Sequence, residues 1–528
     1  MSAVAEKQLS AKGLSKGSIG LIGAIAIGIS CIAPDYTMSA TLGYAVDTVG
    51  QFTPAVVLVG LFPMLFVALG YREMNRAIPD SGTSFTWGAR AFGPWFGWLS
   101  GWGLIASTII VLASLAQIAV TFFYQTLTQI FRTPFFAELN DNIFVNVLSV
   151  VAFMAGATWL VYRDVQVTEK LQYVLVAFQL LAVFIFGLVA TIKYANGTAP
   201  NSPAVAGAES VPFSWNWFNP FAISDFPALI SGITIAVFIF WGWDVVLTIT
   251  EETKDSRRTP GRAAAWTIVL VTVYYLFVAT SSIMFAGPGA VITESDNVFV
   301  ALAEPVMGGF AIIVSLAVLS SSVASLESTF VSPARTMLAM GHYGALPPSF
   351  AKTSKFATPG RATVAAGIVA GGYYALMRPI SENVLTDTVA TTSIFICFYY
   401  GLTSLAAVWY FRKQWTTSVR NVFFKLVFPL IGGLFLAFMF FHELYWSLLD
   451  DEYGSGAKLG GVNVVFLLTV AILLLGVVLM IVNRVKNPGF FRHETIPIGA
   501  AVGEGIDRHF HALTDEEIDE ATPGESFA

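Results

Sequence analysis

Apolar residues in this chain arrive in long unbroken runs, separated by short polar clusters. Twelve runs stand out, at about 18–46, 52–77, 94–127, 142–162, 168–193, 224–250, 263–286, 305–340, 361–378, 385–411, 422–446 and 462–484. Each is near or above the roughly 20 residues a helix needs to cross the hydrocarbon core of a bilayer. The pattern predicts an all-α polytopic membrane protein with about 12 transmembrane helices. Residues 1–17 carry Lys7, Lys12 and Lys16 and lack the short apolar core of a cleavable leader, so they read as a cytoplasmic N-terminal segment. The transmembrane domain is expected over 18–484, and 485–528 reads as a polar, solvated tail with an acidic end, "LTDEEIDEATPGES".

An even number of spans puts both termini on one side. With the N-terminus in the cytoplasm, only Arg132, Lys193, Arg378 and Lys458 of the 28 Lys and Arg residues fall outside. The opposite orientation reverses that ratio, so the positive-inside rule predicts cytoplasmic termini in a multi-pass protein of the cell membrane. Composition agrees: 12 % charged residues is half the roughly 25 % of a soluble domain. The two cysteines, Cys31 and Cys397, lie inside apolar runs, which argues against a disulfide framework or a Cys/His metal site. No Walker loop, G-x-S-x-G or metal-spaced histidine cluster is present, so neither an enzyme nor a cofactor is expected. Nucleic acid is not an expected partner.

Two spans contain breaks. The sixth reads "FWGWDVVLTIT", with Gly242 and Asp244 amid bulky residues, and the first reads "GISCIAPDYT", with Gly28, Pro34 and Asp35. Proline removes an amide donor and clashes with the preceding turn, and glycine relieves the backbone beside it. Backbone irregularity at membrane depth survives only against protein or a water-filled cavity. Interrupted helices at matching positions in two halves of a chain point to a transporter's binding site, because half-helix ends offer free amides and carbonyls.

Four stretches together resemble the amino acid–polyamine–organocation superfamily of secondary transporters: "GAIAIGISCIAP", "REMNRAIPDSGTSFTWGARAFGPWFGWLSGWG", "FWGWDVVLTITEETKDSRRTPGRA" and "ARTMLAMGHYGALPPSFAKTSKFATPGRAT". The resemblance covers about residues 15–485. It implies five plus five helices in an inverted repeat with broken helices 1 and 6 (repeat one 18–193, repeat two 224–411) and two extra helices over 422–484. It implies uptake or exchange of a small-molecule substrate by alternating access. It also places the substrate carboxylate at the backbone of Gly28, Ile29, Ser30 and Cys31, and the ammonium at carbonyls around Phe240, Trp241 and Gly242. Trp241 and Trp243 either wall or gate the pocket or pack toward lipid. Glu251 and Glu252, with Arg257 and Arg258 nearby, read as a cytoplasmic gate or loop clamp. Gln179 stands where some members of the family carry a coupling lysine, which puts that form of proton coupling in doubt.

Two further acids are unexplained by the family pattern. Asp35 follows Pro34, and Glu327 lies inside the eighth span in "SSSVASLESTF". Ionisable residues at membrane depth are costly and by default mark a pathway. Each has three readings: counter-charge for a cationic substrate, carrier of a coupling proton, or structural residue. Ser320, Ser321, Ser322 and Ser325 offer hydroxyls suited to sodium, or simply allow tight helix packing. Gly28, Ser30, Trp241, Gly242 and Glu327 are expected to line one central cavity. The function expected is secondary active transport of an amino acid or related amine, coupled to H+ or Na+. A polyamine or organic-cation importer, an exchanger, and a non-transporting nutrient sensor on the same fold are the alternatives. Beyond substrate, the expected partner is membrane lipid.

Overall fold

The structure is a computed structural model that describes residues 10–163, 165–199, 209–293, 298–381, 383–451 and 453–498. Residues 1–9 and the acidic end of the tail, 499–528, lie outside these described residues.

The first span is split into α1 (Leu21–Ile32) and α2 (Pro34–Val49). The next four are α3 (Thr53–Ala77), α5 (Pro94–Phe131), α7 (Ile143–Arg163) and α8 (Val165–Ala195), with short helices α4 (Ser84–Phe92) and α6 (Phe135–Asp141) between them. The sixth span is again split, into α9 (Phe226–Ile239) and α10 (Val245–Thr248). It is followed by α11 (Thr259–Thr293), a short α12 (Val298–Met307), α13 (Ile312–Thr329) continued by α14 (Val331–His342), α15 (Gly360–Met377) and α16 (Val384–Tyr410). The last two spans are α17 and α18 (Val419–Val422 and Phe428–Leu449, joined by a π turn) and α19 (Val464–Lys486), which a short α20 (Pro488–Phe491) follows. A small hairpin, β1 (Lys458–Leu459) with β2 (Val462–Asn463), connects α18 to α19.

Among the described residues, nine segments are long and apolar enough to cross a membrane. The first of these, Leu21–Ala77, contains two passes, and the shorter helices Phe226–Ile239 and Gly360–Met377 complete twelve. The repeat shows in the packing. The second helices of the two halves, α3 and α11, lie against each other, as do the third (α5 and α13) and the fourth (α7 and α15). A pseudo-twofold axis in the membrane plane produces such pairing of equivalent elements. The two split spans meet at the centre of this arrangement.

Candidate functional site

The break in the first span lies at Ala33, whose φ of 51° is left-handed. Pro34 then opens α2 at a position where its missing amide and fixed φ are favourable. Gly28, Ile29, Ser30 and Cys31 remain in the α-helical ladder of α1. Their amides are therefore used within the helix, and the free donors of this break belong instead to the first turn of α2. That shifts the expected donor position by a few residues, because proline sets the break just before itself. Gly28 has another task. A Cβ there would lie 2.7 Å from Thr267 Oγ1 and 3.0 Å from Val246 Cγ1, so the glycine lets α1 pack on α11 and α10.

The second break, Phe240 to Asp244, turns at Gly242 with φ of 106°. A Cβ on Gly242 would lie 3.1 Å from the Cys31 carbonyl carbon and 3.2 Å from its oxygen. The two interruptions are thus in backbone contact. Carbonyls at the end of α1 face a cluster of hydroxyls from α13: Ser325 Oγ donates to the Cys31 carbonyl at 2.9 Å, and Ser328 Oγ donates to Ser30 Oγ at 3.3 Å. Ser321 Oγ accepts from the Tyr36 amide in the first turn of α2 at 3.4 Å. Ser322 turns back onto its own helix, to the Val318 carbonyl, and Ser320 reaches the Leu175 carbonyl of α8. Of the expected serines, Ser321 and Ser325 reach the first span; Ser328 does so too, and its i+7 spacing from Ser321 is the signal that would have found it.

Asp244 is a fixed anchor. Its carboxylate accepts from Tyr400 Oη at 2.7 Å and from Tyr399 Oη at 3.2 Å, both on α16. Trp241 Nε1 donates to Tyr399 Oη at 2.8 Å, so one tyrosine ties the tryptophan to the acid. Trp243 is buried between the Tyr71 and Tyr400 rings, with centroids 5.1 and 5.0 Å away. Tyr400→Phe removes a donor from a buried carboxylate, which costs about 1–3 kcal/mol. We expect a lower melting temperature by thermal-shift assay in detergent, with Trp241 and Trp243 fluorescence perturbed. An unchanged melting temperature would show that Asp244 is satisfied without it.

Asp35 is fully buried; Oδ1 accepts from Tyr274 Oη of α11, and Oδ2 has no partner among the described residues. Glu327 is 1 % exposed, and neither of its carboxylate oxygens has a hydrogen-bond partner among the described residues. At 100° per residue, Glu327 lies about 160° around α13 from Ser325, which faces α1, and about 20° from Ser320, which faces α8. On the helix, Glu327 is thus closer in angle to the serine that bonds α8 than to the serine that bonds α1. Gln179 is buried on α8, with both amide atoms unpartnered among the described residues.

Residues 19–482 match the family model described as "Amino acid permease". The chain belongs to this family. It is a multi-pass membrane transporter, not an enzyme. Among curated relatives, the low-affinity putrescine importer PlaP of Escherichia coli (strain K12) is 23 % identical over 79 % of this chain and 86 % of its own length. The branched-chain amino acid permease BcaP of Lactococcus lactis subsp. cremoris is 24 % identical over 75 % of this chain and 82 % of its own. The human large neutral amino acids transporter small subunit 2 is 25 % identical over 86 % and 80 %. The crystal structure of MhsT in complex with L-phenylalanine superposes with a TM-score of 0.52 at 14 % identity, covering 79 % of this chain and 98 % of that one; it supports the shared fold.

The permease closes one face with a network that the sequence reading largely missed. Ahead of α1, Ser18 and Ile19 donate their amides to the Glu252 carbonyl, and the Lys254 amide returns to Ile19, zipping the two split spans together. Lys12 Nζ lies 2.7 Å from Asp80 Oδ2 and 2.5 Å from Glu251 Oε1, with Lys12 and Asp80 buried and Glu251 partly buried. Tyr343 Oη donates to the same Asp80 carboxylate at 2.7 Å. Glu252 receives a two-point contact from Arg335, at 2.5 Å from Nε and 3.0 Å from Nη2. Arg257 donates to the Arg76 carbonyl at the end of α3, and the Arg258 amide donates to Asp255. Glu251 and Glu252 are thus held by Lys12 and Arg335, while Arg257 clamps a loop. Burial alone would lower the Lys12 pKa, but the carboxylates of Asp80 and Glu251 outweigh it and hold it above its ordinary value. Asp80 is buried as well, and Lys12 nevertheless holds its pKa below the ordinary value.

Proposed function

We propose that this permease moves an amino acid or related amine across the cytoplasmic membrane by alternating access, driven by a proton or sodium gradient, with both termini in the cytoplasm. The two repeats are assigned to 18–193 and 224–411, the extra helices to 422–484. One observation carries the reading: Gly242 rests on the Cys31 carbonyl, which gathers the acceptor end of α1, the donor end of α2 and the break after α9 at one buried point. Opposed half-helix ends suit the carboxylate and ammonium of a zwitterion. Their oxygens, with Ser325 and Ser328 beside them, also suit a hard cation such as sodium. The test is uptake of labelled amino acids and diamines into proteoliposomes under imposed proton or sodium gradients. Binding without accumulation would favour a sensor, and neither binding nor flux across the panel would refute the reading.

A diamine is the second reading, favoured by the free Oδ2 of Asp35 in the first turn of α2 and by the similarity to PlaP. On that reading Asp35→Asn lowers putrescine uptake by more than tenfold while leucine uptake changes by less than twofold. Equal loss of both would make Asp35 a structural residue. Glu327, buried in α13 with neither carboxylate oxygen partnered among the described residues, is the proposed coupling group. Glu327→Gln is the matching test: gradient-driven accumulation falls and exchange persists if it carries the coupling proton.

A further inference from the structure

Away from the split helices, a hollow of about 500 Å³ opens where the end of α7 meets the start of α15. Its polar rim holds Lys352, Thr353, Ser354 and Arg361, with Tyr162 at the back, and no carboxylate is among the described residues that line it. Neither Lys352 nor Arg361 has a hydrogen-bond or ion-pair partner among the described residues. Below the rim the lining is apolar: Val364, Ala365 and Ile368. These three follow Arg361 at intervals of three, four and seven, so one helical stripe carries a cation at its outer end and apolar side chains along the span. Val364 is 39 % and Ile368 70 % exposed, on a helix that crosses the membrane, so the stripe faces acyl chains.

The hollow is preformed. Ser354 and Thr358 close a tight turn, the Ser354 amide donating to the Thr358 carbonyl at 2.7 Å. Thr358 Oγ1 then donates to the Tyr162 carbonyl at 2.8 Å, fixing the turn to the end of α7. Arg163, next to Tyr162 in sequence, stacks over Trp159, and Lys355, next to Ser354, over Phe356. We infer that this hollow is a binding site for one anionic glycerophospholipid, its phosphate between Lys352 and Arg361 and its acyl chain along Val364, Ala365 and Ile368. Unpaired cations above a lipid-facing apolar stripe fit an amphiphile with an anionic head, and a soluble phosphate compound would leave the stripe without a use. The inner leaflet as its source rests on the orientation proposed above. Thr353, on the rim, also packs against Gly13, where a Cβ would lie 2.7 Å from Thr353 Oγ1; the bound head therefore sits beside the segment that carries Lys12.

Native mass spectrometry of the full chain in detergent, titrated with phosphatidylglycerol or phosphatidylcholine, tests the site. One phosphatidylglycerol adduct is expected to form at least tenfold more tightly than the phosphatidylcholine adduct. The double variant Lys352→Gln with Arg361→Gln should lose that preference, while Arg361→Lys keeps it and shows that the helix end is intact. Water-soluble glycerophosphoglycerol should fail to compete. Unchanged lipid preference in the double variant, or competition by the soluble headgroup, overturns the inference. The adduct forms in detergent whichever way the protein faces, so orientation is read separately, by labelling Lys355→Cys in sealed vesicles. Labelling from the outside would refute the orientation and leave the lipid site standing.

Discussion

Gly242→Ala lowers substrate uptake in proteoliposomes by at least tenfold, in a protein that still inserts and elutes as a single species from detergent. Two costs combine. The φ of 106° is one that L side chains rarely adopt, and such a strained backbone costs on the order of 1–3 kcal/mol. The added methyl would also lie 3.1 Å from both the carbonyl carbon and the Sγ of Cys31. The carbonyl carbon is backbone at the end of a packed helix, so it cannot swing aside as a long side chain would. Relief requires the two breaks to separate, and that separation disturbs the proposed substrate point. A difference of about 1.4 kcal/mol is already tenfold in an equilibrium. Gly372→Ala, in an open part of α15 with no atom within 4 Å of the added carbon, is the control and should transport as the parent does. Normal uptake by Gly242→Ala would mean that contact between the breaks is not part of the transport cycle.

The same glycine shows what could be seen in the sequence and what could not. Gly242 and Pro34 act on their own backbone, so both breaks were visible as local anomalies in apolar runs. Gly28 read as part of the first break, yet it stands inside the helix α1. It is a packing glycine under Thr267 and Val246, and a contact made 239 residues away in sequence leaves no local trace. Asp244 is comparable: its tyrosine partners lie 155 and 156 residues downstream, and nothing near it announces them. For Glu327 the burial followed from the apolar run; its facing is not written there. Facing depends on which helix stands on each side of α13, and that is set by the repeat as a whole.

The largest omission was Lys12, which read as one more positive charge in an inner segment, and it yields the other strong prediction. Lys12→Ala leaves a buried Asp80 and a partly buried Glu251 with one cation removed from between them. Breaking a buried ion pair from one side costs about 3–5 kcal/mol, because the remaining charge has lost its compensation. That cost falls on the conformer closed at this face and should shift the protein toward a state open at this face. Cys31 is a native reporter, since it is buried two residues before the break at Ala33. In a Cys397→Ala background, Lys12→Ala should raise the maleimide labelling rate of Cys31 by tenfold or more. Neutralising the trio, with Lys12→Met, Asp80→Asn and Glu251→Gln together, should restore much of the protection, because no bare charge is then left inside. The pH dependence follows from the two shifts. Lys12, raised above 10.5, supports closure fully below its ordinary value and loses that role only as pH climbs through the raised one. Asp80, lowered from 3.8, supports closure fully above its ordinary value and loses that role only as pH falls through the lowered one. Protection of Cys31 in the Lys12 protein, corrected for thiolate fraction with an exposed thiol, should therefore stay flat between about pH 5 and 9. If Lys12→Ala is labelled as slowly as its parent, the trio holds the N-terminal segment in place without governing access to the substrate point.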